Sequence, residues 1–257
     1  MEKIGEATKL AAKILQENTE YIVDRNIIDA IFEQTKSSSS RTSIRLTVID
    51  SYYSTNMSKR VFGLNDLSEA IEKIGTDKEI MLQANHYLKT GNGKIHDLLK
   101  GEYGIRKYGK KAGEARSLIS KYLYFLMGHN FPIEDSLVKN YVNTIFHYFN
   151  ISEIDTENLI VEIAKTSNEQ ECSYDEMDNL LWLFGKMING SLSLIVKKDV
   201  YLEIIRAFRM TEKISSKEFD KMLSEKLRKK TELDKIRPYI SSNLNDFLEF
   251  CKKVMVE

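Results

Sequence analysis

Lys121 lies in a helical stretch that stops at Gly128, and Asp135 opens the next helix after the turn His129-Asn130-Phe131-Pro132. A lysine amine can attack an electrophilic carbon and carry it as a Schiff base. A carboxylate can steady a developing positive charge or exchange a proton. Both residues also have structural readings. Aspartate is a favoured helix N-cap, and most lysines are solvated.

A second concentration of chemistry lies just upstream. Residues 94–121 hold eight basic and three acidic side chains, a net charge of +5, with Gly101, Gly104, Gly109 and Gly113 among them. Backbone N–H groups of a glycine-rich turn can cradle a phosphate, and neighbouring cations add attraction. Lys100, Gly101, Gly104, Arg106, Lys107, Gly109, Lys110 and Lys111 are the candidate contacts. The plainer reading is a solvated connection between two helices.

Other chemistries are poorly represented. The 4 histidines are scattered without metal-ligand spacing, and no cofactor motif is present. Cys172 and Cys251 form neither a redox motif nor a disulfide framework, and are expected as ordinary thiols in a reducing compartment. With 38 basic and 38 acidic residues the formal net charge is zero, which argues against a whole-surface nucleic-acid binder and leaves room for a local basic patch. The first sixteen residues are amphipathic and carry Glu2 and Glu6, unlike a signal peptide, and the longest apolar run is too short for a membrane span. A soluble cytoplasmic protein with no membrane association is the expectation.

The elements that must hold these residues are helices. Only 2 prolines and 12 glycines interrupt 257 residues. Ile4, Ala7, Leu10, Ala11, Ile14 and Leu15 recur at helical spacing and predict a first helix. A second is predicted over 21–34, with Ile27, Ile28, Ile31 and Phe32 inward, and a third over 41–54. Asn65 is placed to cap a short helix bearing Leu67, Ala70, Ile71 and Ile74, with Gly75 at its left-handed end. Further helices are predicted over 80–89, over 114–127 and from Asp135, and a Ser173/Glu176 capping box opens one through Ile188. Residues 191–196 alternate like a short strand. The fold class expected is all-α: one helical domain over 1–190 and a C-terminal helical appendage over 191–257, suited to docking a protein partner.

The helix Ser120-Lys121-Tyr122-Leu123-Tyr124-Phe125-Leu126, the following Phe131-Pro132-Ile133-Glu134-Asp135-Ser136-Leu137-Val138 and the later Leu180-Leu181-Trp182-Leu183-Phe184-Gly185-Lys186 together resemble the helix-hairpin-helix DNA glycosylase superfamily. The resemblance covers roughly 40–190 and is to a divergent bacterial branch with the 8-oxoguanine DNA glycosylase fold, some of whose members sit in antiviral defence operons. Asp50-Ser51-Tyr52-Tyr53-Ser54-Thr55-Asn56 is similar to a family element as well. The resemblance implies a hydrolase of DNA repair or defence that flips out a modified purine such as 8-oxoguanine and cleaves its N-glycosidic bond, with or without a lyase step. It implies Asp135 as the catalytic carboxylate, Lys121 as the first candidate for an amine nucleophile, the basic segment as the DNA grip, Phe131 and Trp182 as faces for the flipped base, and no cofactor. The chain departs from the family in two places. The compact Gly-apolar-Gly hairpin is replaced by the longer 100–111 stretch, and the family lysine would fall near Leu118. Asp135 as a cap, and Trp182 and Phe184 as core, stay open beside these roles. A catalytically silent module that binds nucleic acid or a modified base is the alternative function, and a helical interaction scaffold the third.

Overall fold

The computed structural model describes residues 4–16, 19–105 and 113–188. Among these residues there are ten α-helices, two single-turn 3-10 segments and no strand. The helices are α1 Ile4–Gln16, α2 Thr19–Gln34, α3 Arg41–Tyr53, α4 Gly63–Glu72, α5 Asp77–Thr90, α6 Lys94–Lys100, α7 Arg116–Leu126, α8 Ser136–Tyr148, α9 Leu159–Glu169 and α10 Tyr174–Ile188. None of them is long and apolar enough to cross a membrane. The described residues fall in two compact units. One is Val23–Asp178, and the other takes in the described parts of Met1–Ile22 and Asn179–Glu257. The appendage expected over 191–257, with its strand-like start and its docking role, lies outside the described residues.

Within Val23–Asp178, α7 is the element around which the rest is laid. The α3 helix packs on α4 and α7, α5 on α6, α7 and α9, and α6 on α7. Every residue of α7 from Leu118 to Phe125 is buried. A helix buried on all its faces has no solvated side. A lysine in its middle therefore cannot reach water and must find a partner inside. That overturns the solvated reading of Lys121 and follows from the unbroken apolar run beside it.

Local chemistry corrects several expected boundaries. The α4 helix starts at Gly63, with Phe62 as its N-cap at φ 60° and no side-chain cap, so Asn65 lies inside the helix. A Cβ at Gly63 would come within 2.8 Å of the Arg60 side chain, so the tight turn into α4 selects glycine. Gly75, at φ 136°, lies beyond the C-cap Lys73 and leaves room for Glu79. Glu79 completes a capping box with Thr76 that begins α5 earlier than its apolar stripe suggested. The basic connection begins as a helix, because Ile95, Leu98 and Leu99 turn one face of α6 into the core. The Ser173/Glu176 capping box forms as expected, with Glu176 N donating to Ser173 Oγ at 3.1 Å. The α9 helix had no counterpart in the reading of the sequence.

Candidate active site

The α7 helix and the turn after it bring Lys121 and Asp135 into contact. Two anchors set the register. Arg116, at the start of α7, donates to both carboxylate oxygens of Glu134, at 2.6 and 2.7 Å. One turn on, Ser120 Oγ donates to Glu134 O at 3.1 Å and accepts from Glu134 N at 3.0 Å. Glu134 is thus held by side chain and backbone together, and the next residue has little freedom. Asp135 caps α8, accepting from Val138 N at 2.9 Å. Its second oxygen takes the Lys121 Nζ at 3.2 Å, and Nζ also donates to Ser117 Oγ at 2.9 Å. The Lys121 side chain is 4% exposed and that of Asp135 18%. Lys121 Nζ stands 5.3 Å over the Tyr53 ring, a cation–π contact on the remaining side.

Burial works to raise the Asp135 carboxyl, but the Lys121 charge and the N–H groups at the start of α8 outweigh it and hold it below the usual carboxylate value. Asp135 is therefore both a cap and one half of a buried ion pair. The two readings are compatible, since its two oxygens do the two jobs.

A second polar network adjoins the pair. Arg25 on α2 donates to Asp175 Oδ1 at 2.8 Å and lies 3.0 Å from His129 Nδ1. A guanidinium only donates, so Nδ1 must accept, and the His129 proton sits on Nε2, where it meets Asp29 at 3.0 Å. Tyr124 donates its hydroxyl to the same Asp175 oxygen and stacks on His129 with 4.6 Å between ring centroids. Asp178 follows Asp175 by one helical turn on α10. Burial, then the charges of Asp135 and Asp175, push the Asp178 carboxyl up to about 8, against the pull of Lys121 and Arg25. Tyr124, His129, Arg25, Asp175 and Asp178 were not singled out in the sequence. The three-residue spacing of Asp175 and Asp178 was legible, but it looked like the ordinary acidic first turn of a helix.

The basic segment is positioned at both ends. Val61 and Ile105 pair through reciprocal N–H···O bonds of 2.9 Å, and Glu102 is bridged to Glu114. Arg60 donates to Tyr103 O at 3.3 Å and Gly113 O at 2.6 Å, holding the entry and exit together. Arg106, Lys107, Gly109, Lys110 and Lys111 lie outside the described residues. Lys100 ends α6, 4.0 Å from Glu157. Gly101 is committed to packing, since a Cβ there would meet the Tyr103 hydroxyl at 2.3 Å. Gly104, at φ 74°, would place a Cβ 2.6 Å from Gly63 Cα, and its N–H is taken by Asp66 at 2.9 Å. Gly104→Ala is expected to cost roughly 2–3 kcal/mol through that strain and clash. A denaturant titration showing an unchanged midpoint would refute this.

Of the two aromatic faces expected for a base, Phe131 is closed off. Phe131 is 0% exposed and belongs to the hydrophobic core, because its turn is pressed onto α7. Trp182, in the other unit, is half-buried and carries the Lys186 ammonium 5.3 Å over its ring. The Asp50 stretch is a structural turn. The Asp50 carboxylate accepts from Thr55, from Met57 N at 2.8 Å and from Ser58 N at 2.9 Å, and so delivers Tyr53 to Lys121. Cys172 is a free thiol that burial pushes up to about 11, too high for a reactive thiolate at neutral pH. Among the described residues no group of His, Cys, Asp or Glu side chains is placed to hold a metal. No protein-family model matches this chain, and no curated protein or solved structure matches it significantly.

Proposed function

We propose that this chain is a divergent helix-hairpin-helix N-glycosylase that hydrolyses the bond between a modified purine, such as 8-oxoguanine, and its sugar in DNA. The observation that supports this most is the Lys121–Asp135 pair, a carboxylate kept ionised in a mostly buried site at the start of α8. Cleaving an N-glycosidic bond builds positive charge on the sugar, and a fixed carboxylate lowers the energy of that state most where water is excluded. Lys121 Nζ donates to Asp135 and Ser117. An amine so engaged carries charge rather than a free lone pair, which favours attack by water over a Schiff base. A lyase step would require the substrate to part the pair. Nothing in hydrolysis calls for a cofactor.

The same closure supports a second reading. With Lys121 only 4% exposed, the pair serves equally well as the internal tie of a catalytically silent module that binds nucleic acid or a modified base. The deciding experiment is base release from a panel of oligonucleotides bearing modified and damaged purines, single-stranded and duplex, with and without borohydride. Hydrolysis predicts free base, strand breaks only after alkali, and no covalent trap. A borohydride adduct lost in Lys121→Met would establish the lyase step instead. Absence of any base release would retire the enzyme and leave the binding module.

A further inference from the structure

The turn between α3 and α4 presents apolar side chains to solvent on a backbone tied down from several sides. Val61 is 53% exposed, Ile105 41% and Phe62 62%, the most of any large apolar side chain among the described residues. Val61 and Ile105 form an antiparallel bridge through two backbone bonds of 2.9 Å, and residues paired in this way carry their side chains on one face. Phe62 is the next residue, so three exposed apolar side chains cluster at this one place. Their mount is rigid. Arg60 donates to Tyr103 O and Gly113 O, Asp66 accepts from Gly104 N, and Gly63 is packed too closely to admit a Cβ. Phe62 itself sits at φ 60° and ψ 4°, a left-handed conformation that suits glycine and strains a bulky side chain. Neither backbone nor burial favours phenylalanine here. An aromatic ring held against both points to a partner outside the chain.

Charge selects that partner. The sequence between Ile105 and Gly113 carries Arg106, Lys107, Lys110 and Lys111 and no acid. Both ends of that stretch are fastened beside the apolar cluster, Ile105 to Val61 and Gly113 to Arg60. Lys59, just before the cluster, is exposed as well. A ligand that offers flat rings along a chain of negative charge meets both features, and an unstacked nucleic-acid strand is such a ligand. A duplex supplies the charge but keeps its base faces stacked inside. One slender side chain can pry two base pairs apart, whereas a cluster of three suits a base face that is already open. We infer that Val61, Phe62 and Ile105 are a stacking platform for an unpaired base, and that this chain takes its DNA single-stranded or locally unpaired. The inference rests on the DNA-directed reading above, in its enzymatic or its silent form, and adds the strand state to it.

The test is fluorescence anisotropy with a labelled oligonucleotide of mixed sequence, used as a single strand and as its blunt duplex. The wild type is expected to bind the single strand about 10-fold or more tighter than the duplex. Phe62→Gly is expected to weaken single-strand binding by about 10-fold and to change duplex binding by less than about twofold. The slope of log Kd against log salt should not change, because the ring neutralises no phosphate. The melting temperature of Phe62→Gly should equal or exceed that of the wild type, since glycine relieves the left-handed strain. Weaker binding by a protein that is no less stable separates a ligand contact from a structural role. Phe62→Leu keeps apolar bulk without an aromatic face, and its single-strand affinity is expected to fall between the two. Equal wild-type affinity for both strand states, or single-strand binding unchanged in Phe62→Gly, would overturn the inference. So would a wild type that binds neither form. Base release by the wild type is a separate measurement, so the glycosidic reading stands or falls independently. The wild-type ratio of single-strand to duplex affinity decides the matter even where a variant does not fold.

Discussion

Asp135→Asn is expected to lower the melting temperature by roughly 10 °C, and adding Lys121→Met to restore most of it. The two substitutions act on one buried contact. Asparagine caps a helix about as well as aspartate, so the Val138 N bond survives and capping alone forecasts almost no change. The ion pair forecasts otherwise. Asparagine leaves the Lys121 ammonium, 4% exposed, without a counter-charge. Breaking one side of a buried pair costs about 3–5 kcal/mol, whereas replacing both sides by groups of similar shape is often neutral. At about 2–4 °C per kcal/mol for a chain of this size, the single variant should melt well below the wild type. Methionine matches the length of the lysine stem and carries no charge, so the double variant loses the penalty. Thermal melts of the four proteins form a double-mutant cycle. A coupling energy near zero would mean that water reaches the pair and screens it, and the electrostatic case for Asp135 would fall with it. Activity separates from stability in the same set. Both Asp135→Asn and the double variant should lose base release by orders of magnitude, although the double variant is folded.

How much of this was legible follows from what each signal measures. Periodicity reports burial of apolar faces, and it located α1, α2, α7, α8 and α10 to within a few residues. It could not place α6, whose 7 residues sit among cations, or the start of α4, which the Gly63 turn decides. Asp135 was legible because an N-cap is a local feature with a local sequence signature. The partner of Asp135 was not. Lys121 lies fourteen positions earlier, and only the burial of every face of α7 shows that its amine has nowhere else to go. Arg116, Ser120 and Glu134, which set the geometry, look like surface residues one at a time. The family resemblance implied a base-pocket role for Phe131, but the turn is pressed onto α7 and the ring fills the core. Tyr124, His129, Arg25 and Asp175 come from α7, the turn after it, α2 and α10, and no spacing along the chain could have joined them.

Asp178→Asn is expected to stabilise the protein, and by more at pH 8 than at pH 5. The folded-state value of the Asp178 carboxyl, about 8, lies far above the ordinary aspartate value of 3.8. Between those values the folded state binds the proton more tightly than the unfolded chain, so stability falls as pH rises. The penalty is absent below about pH 4, grows through neutrality and is complete once pH passes about 8. Asparagine keeps the shape of the protonated acid and has nothing to ionise, so the variant escapes the decline. Asp135 works in the opposite sense: its carboxyl is held low, and its contribution is lost only as pH falls below the usual carboxylate range. The two effects thus occupy different pH windows and do not mask one another. The difference in melting temperature, variant minus wild type, should widen by roughly 5 °C or more between pH 5 and pH 8. A difference that stays flat across this range would mean that Asp178 is ionised in the folded protein. This measurement needs no substrate, so it tests the protonation of Asp178 whatever the chain acts on.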